Sequence, residues 1–100
     1  MKNATQKFTF NYDGVAIAIY HAEKGEGLPK HNHEFSHATF CTSGSIIVRK
    51  EGKEMVMDKN SQPANLTAIE WHEIEALEDG TVFCNVFAEK FMKEYIDKIG

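Results

Sequence analysis

The sequence predicts an all-β domain, an antiparallel sandwich or barrel closed by one short C-terminal helix. Short runs of alternating apolar and polar residues recur along the chain, and Gly, Asn and Asp punctuate them. Only the last dozen residues carry helical spacing instead. At 100 residues, with no internal repeat, linker or low-complexity tract, one domain is expected over 1–100. Its barrel would cover about 8–87 and its helix about 88–99.

Phe8 to Tyr12 reads as an N-terminal strand free to add to a neighbouring chain. Gly14 to Ala22 is a strand with Val15, Ile17 and Ile19 on one face and the smaller Ala16 and Ala18 on the other. Lys24 to Pro29 breaks it as a loop. His37 to Thr42 and Ser45 to Val48 read as two strands, or one strand bent at Gly44. Glu51-Gly52-Lys53-Glu54 is a hairpin turn before Met55 to Met57. A polar stretch, Asp58 to Asn65, precedes a run from Leu66 to Ile69. His72 to Leu77 and Thr81 to Phe87 are expected to pair as a hairpin through Glu78-Asp79-Gly80. Phe91, Tyr95 and Ile99 recur at four-residue intervals within Ala88 to Ile99, so this segment predicts a helix that covers the barrel or an edge.

A formal net charge of -4, with Arg49 the only arginine, offers no basic surface for nucleic acid or anionic lipid. No apolar run approaches the ~20 residues that span a bilayer. The partner expected is therefore a small-molecule ligand, with no nucleic acid and no membrane. The polar opening from Met1 to Lys7 has no apolar signal region behind it, and a cytoplasmic location is expected. Cys41 and Cys84 lack CxxC spacing and sit in apolar stretches, which favours buried, reduced thiols.

Four of the five histidines form the chemical signature: His31, His33 and His37 within seven residues, and His72. Side chains alternate in a strand, so His31 and His33 share a face and Asn32 takes the other. A straight strand would carry His37 roughly 13 Å beyond His33, too far to share an ion bound at about 2.1 Å. Glu34-Phe35-Ser36 must therefore turn or bulge the chain. His72 shares a face with Ile74 and Ala76 and points inward, with Trp71 before it packing at the barrel mouth. Imidazole donors favour a transition metal over Mg or Ca, and one divalent Zn, Fe, Ni, Mn or Cu ion is expected. Four neutral ligands leave its charge uncompensated, so bound water is acidified or an anionic oxygen is attracted. His21 lies outside the pattern.

Gly25 to Gly44 resembles the first motif of the cupins, G-x5-H-x-H-x3/4-E-x6-G, with both glycines and both leading histidines in register. His37 stands where that motif usually places a metal-binding glutamate. Glu34 follows His33 directly, on the opposite face of an extended strand. The second motif, G-x5-P-x-G-x2-H-x3-N, is matched at His72, while Ser61, Thr67, Ile69 and Ala76 replace its other fixed residues. Pro63-Ala64-Asn65 is expected to supply the turn instead. The resemblance spans about residues 14–87 and implies a cupin-like double-stranded β-helix with one divalent metal inside.

Two functions follow from that resemblance. One is a metalloenzyme acting on a small organic molecule, of dioxygenase, isomerase or lyase type, with Tyr20, Glu34, Glu70 and Glu73 as candidate acid–base residues. The other is a non-catalytic module that binds a sugar or metabolite around a structural metal. Exposed sheet edges, and the habit of small cupins, predict a homodimer.

Overall fold

Two five-stranded sheets enclose the core of the computed structural model, which describes residues 1–98. The first holds β1 (Lys2–Asn3), β4 (Glu26–His31), β9 (His72–Ala76), β6 (Ile46–Lys50) and β7 (Lys53–Met57), in that order. The second holds β2 (Thr5–Tyr12), β3 (Val15–Ala22), β10 (Thr81–Ala88), β5 (His37–Ser43) and β8 (Ala64–Leu66). Every pairing is antiparallel except β1 with β4. A 3₁₀ turn over Glu89–Phe91 leads into α1 (Met92–Lys98). The all-β class and terminal helix are as expected, and the predicted helix end at Ile99 lies outside the described residues. No described helix is long and apolar enough to cross a membrane.

Cross-strand volume explains which face of β3 turns inward. Ala16 and Ala18 are fully buried, whereas Val15 is 38% exposed. The inward alanines stand opposite Phe87 and Asn85 of β10, so small residues on one strand leave space for large ones on the next. Phe35, Phe87, Phe91 and Tyr95 then form an aromatic column beneath α1, with Phe35 stacked on Phe91 and Phe87 on Tyr95.

Several boundaries differ from the sequence reading for identifiable reasons. The sheets begin at Lys2, not near residue 8, because β1 lies alongside β4 and Ala4 N–H donates to Gly27 O at 2.8 Å. The expected loop from Lys24 to Pro29 is largely strand. A Cβ on Gly27 would stand 1.8 Å from the Ile74 carbonyl oxygen, so this glycine marks close strand approach and not a turn. Pro29 falls where the register shifts between Leu28 and His31. Asp13 and Gly14, at φ 50° and 81°, close a two-residue hairpin between β2 and β3.

Glu78-Asp79-Gly80 closes no hairpin. β9 pairs with β4 and β6, and β10 with β3 and β5, so both edges of each strand are taken in separate sheets. The segment turns the corner between sheets, held by Thr81 Oγ1 donating to Glu78 O at 2.7 Å and Leu77 N–H to Ser45 O at 2.9 Å. β8 occupies Ala64–Leu66, partly inside the expected polar stretch, so Pro63-Ala64-Asn65 supplies no turn. The left-handed residue is Ile69 itself, at φ 75°. It occupies the position of the second motif's glycine and keeps a backbone conformation that disfavours a β-branched side chain.

Two hydrogen bonds hold Ile69 there: its N–H donates to His33 O at 2.7 Å, and Asn32 Nδ2 donates to its carbonyl at 3.2 Å. Strain of this kind costs about 1–3 kcal/mol, and a side chain 61% exposed returns little by burial. Ile69→Gly keeps both backbone contacts and should raise stability by about 1 kcal/mol, after the entropy of the added glycine. The melting temperature should rise by about 4–8 °C. An unchanged or lower melting temperature would show that Ile69 is unstrained.

Candidate metal centre

Three elements deliver the histidines. β4 ends on His31, which stands directly opposite His72, the first residue of β9. His33 is not on a strand: the chain leaves β4 after His31, turns through residues 32–36 and enters the other sheet at His37, the first residue of β5. The required turn at Glu34-Phe35-Ser36 is therefore present, but it starts earlier than alternation suggested. Ser36 Oγ accepts from Ala68 N–H at 2.9 Å, and the Ile69 contact to His33 O ties the same two loops together. Phe35 lies between the rings of His33 and Phe91, stacked on both with centroids 4.4 and 5.2 Å away.

The four rings converge. His31 and His72 centroids are 4.4 Å apart, His33 and His72 4.9 Å, and His31 and His33 5.4 Å. The ligand atoms of His31, His33 and His72 lie within 4.8 Å of one another. His37 is outside that tight triplet, yet its ring stands 4.9 Å from His33 and 5.3 Å from His72. His33, His37 and His72 are at most 3% exposed.

Hydrogen bonding separates the two nitrogens of every ring. Nδ1 of His31 donates to Pro29 O at 2.7 Å, that of His33 to Phe35 O at 2.6 Å, and that of His72 to Glu70 O at 3.0 Å. A carbonyl can only accept, so each Nδ1 carries the proton and each Nε2 keeps its lone pair. At His37 the acceptor is Thr39 Oγ1, 3.1 Å away, whose single hydrogen goes to Asn85 Oδ1 at 2.6 Å. Asn85 Nδ2 donates in turn to the Tyr95 hydroxyl at 2.9 Å, and Tyr95 bonds Tyr20. All four Nε2 atoms are buried with no partner.

The other expected candidates separate by position. Glu34 is exposed, in the turn between β4 and β5. Glu73 faces outward to Arg49 at 3.6 Å. Tyr20 is buried in the core, where burial pushes its hydroxyl up to about 12, against a smaller opposing effect of the Tyr95 bond. Glu70 is half-buried beside Lys50. Trp71 is 45% exposed, with Lys30 Nζ 5.9 Å from its ring centroid. His21 is exposed, and Cys41 and Cys84 are buried free thiols. Lys50, in line with His72 across the sheet, was missed by sequence reading, although it shares the inward parity of Ile46 and Val48.

The sequence matches no protein-family model and no curated protein. Its fold is shared with solved structures. KdgF from a Halomonas species is 16% identical, with 79% of this chain and 73% of that chain covered and a TM-score of 0.71. A Neisseria meningitidis protein is 18% identical over 89% of both chains, with a TM-score of 0.72. A cupin superfamily protein from Desulfitobacterium hafniense is 12% identical over 86% of this chain and 82% of that one, at 0.66. The chain thus has the cupin fold, a double-stranded β-helix with one short terminal helix and a histidine cluster inside.

Burial is the main influence holding all four rings neutral. It pushes His31 and His33 below the ordinary imidazole value. His37 falls to about 2, through burial and then through its His33, His72 and His31 neighbours, and His72 falls to about 4. Below about pH 6.5 an unfolded chain binds protons that these rings refuse. The stability they contribute is therefore complete above that pH and declines as pH falls toward 4, and further still for His37. Urea midpoints of the metal-free chain should drop steadily on acidification, each ring adding up to about 1.4 kcal/mol per pH unit. A flat profile between about pH 7 and 5 would show that the rings are not held neutral.

Proposed function

We propose that His31, His33, His37 and His72 together hold one divalent transition metal, and that the protein is a metalloenzyme acting on a small organic molecule. The observation that carries this reading is the set of four buried, unpartnered Nε2 atoms, each on a ring whose other nitrogen is already hydrogen-bonded. That donor set fits a borderline ion such as Zn, Fe, Ni, Mn or Cu, since neutral imidazole is the ligand form and its orientation is fixed in advance. Four protein ligands leave coordination positions for a bidentate molecule, and the ion would supply Lewis acidity there. Oxidoreductase, isomerase and lyase chemistry all use such a site. The chain's own contribution is to exclude water around the rings and to keep their protons on Nδ1.

Protein purified without a metal-binding tag should contain about one equivalent of transition metal per chain, or take it up on addition. His37→Ala should weaken retention by about 10–100-fold, because even indirect partners of metal ligands matter on that scale. Glu34→Ala should leave it unchanged. Metal lost from Glu34→Ala but kept by His37→Ala would remove His37 from the ligand set. Screening oxygen uptake and turnover with enols, thiols and uronates, before and after chelation, tests catalysis; turnover that survives complete metal removal would sink it.

Pairing of two copies is part of the same proposal. β2 is an edge strand, and Phe10, Tyr12 and Val15, on the face it shares with β3, are 42, 75 and 38% exposed. Such a patch favours self-association. Sedimentation at micromolar concentration should give a homodimer that Tyr12→Lys weakens, and a monomer for the unaltered chain would refute it. Cytoplasmic location accords with the two free thiols.

A further inference from the structure

The row of side chains that begins with His31 and His72 continues one strand further. β4, β9 and β6 are neighbours, His31 faces His72 and His72 faces Lys50 across them. Residues in register on adjacent strands share a face, so Lys50 projects to the side of the two histidines. Ile46 and Val48, four and two positions earlier on β6, are fully buried on that face. The Lys50 side chain is 16% exposed. Its ammonium donates one hydrogen bond, to Asn65 O at 3.2 Å, and lies 3.7 Å from Glu70 Oε1 as an ion pair.

A cleft of about 300 Å³ lies at this end of the sheet, where Lys50 and His72 meet Lys30, Arg49, Trp71 and Glu73 of the outward-facing parity. Its charged lining comprises Lys30, Arg49 and Lys50 against Glu51 and Glu73, three positive against two negative, a net of +1. The whole chain carries -4. A cation beside four neutral imidazoles repels a metal ion, and Glu70 offsets only one charge. An anion placed between ion and ammonium relieves both repulsions.

We propose that the site takes a small carboxylate, one oxygen directed to the histidine-held metal and the other accepting from Lys50, with the ligand body in the cleft against Trp71. This rests on the metal-binding reading above and adds the class of molecule bound. It makes metal and carboxylate mutually stabilising, since coupling between two ligands is reciprocal.

The test is calorimetric titration of the full-length, metal-free chain with Co²⁺, in the absence and presence of acetate or the uncharged acetamide. Acetate should tighten Co²⁺ binding at least tenfold and acetamide should not, the scale of one charge-assisted hydrogen bond. Lys50→Met should bind Co²⁺ alone at least as tightly as the unaltered chain, because a repelling charge is gone, yet lose most of the acetate enhancement. Lys50→Arg should keep the enhancement, which guards against misfolding of the methionine variant. Phenylacetate in place of acetate should lose affinity on Trp71→Ala. An unaltered chain that does not bind Co²⁺ would overturn the metal reading and this one with it. Co²⁺ binding that acetate does not tighten, or that acetate tightens equally in Lys50→Met, would overturn the carboxylate site and leave the metal site standing.

Discussion

A buried polar nitrogen without a partner costs about 1–3 kcal/mol, and this fold buries four of them in one place. Much of the architecture keeps those atoms together in spite of this. Three of the four rings are oriented by main-chain carbonyls two residues away along the sequence: Pro29 for His31, Phe35 for His33 and Glu70 for His72. The orientation is thus built into local backbone, and the loop contacts from Ile69 and Ala68 hold two of those backbone segments against each other.

His37 is supported differently. Its partner is a side chain, and the chain of hydrogen bonds from Thr39 through Asn85 and Tyr95 to Tyr20 runs across the interior to α1. Thr39 and Asn85 are fully inaccessible, and a buried polar network of this kind is tolerable only when its members are satisfied. α1 has seven residues, too few to persist alone. It is kept in place by Tyr95, buried against Phe87, and is continuous with Phe91, which stacks on Phe35. Phe35 stacks in turn on His33. The terminal helix, the aromatic column and two of the histidines therefore belong to one packed unit, which gives the helix a role at the site beyond covering an edge.

The histidine cluster was legible because spacing alone limits where such residues can go: His37 cannot share a site with His31 and His33 unless the chain turns, and it does turn. What alternation could not show was that the turn begins at Asn32, since the signal that ends β4 is the passage of the chain into the other sheet. Gly27 and Pro29 looked like loop residues because composition does not distinguish a glycine that turns from one that admits a neighbouring strand. The corner at Glu78-Asp79-Gly80 resembled a hairpin for a related reason. Local turn chemistry is the same whether the next strand pairs with the last or crosses to the other sheet, and only the competition for strand edges decides. Asp13-Gly14, by contrast, was a readable hairpin signal that the sequence reading passed over.

Two features of this chain act in the same direction. Placing His37 where a glutamate is usual removes one negative charge from the donor set, and Lys50 adds a positive one to the same row of side chains. Either change alone would weaken the hold on a dication, the first by leaving its charge uncompensated and the second by direct repulsion. Glu70 returns one charge through its contact with Lys50 at 3.7 Å. It does so from outside the tight triplet formed by His31, His33 and His72. The remaining imbalance is a property of this chain's own residues. On the proposed reading, a ligand from solution supplies the carboxylate that the protein's own residues do not.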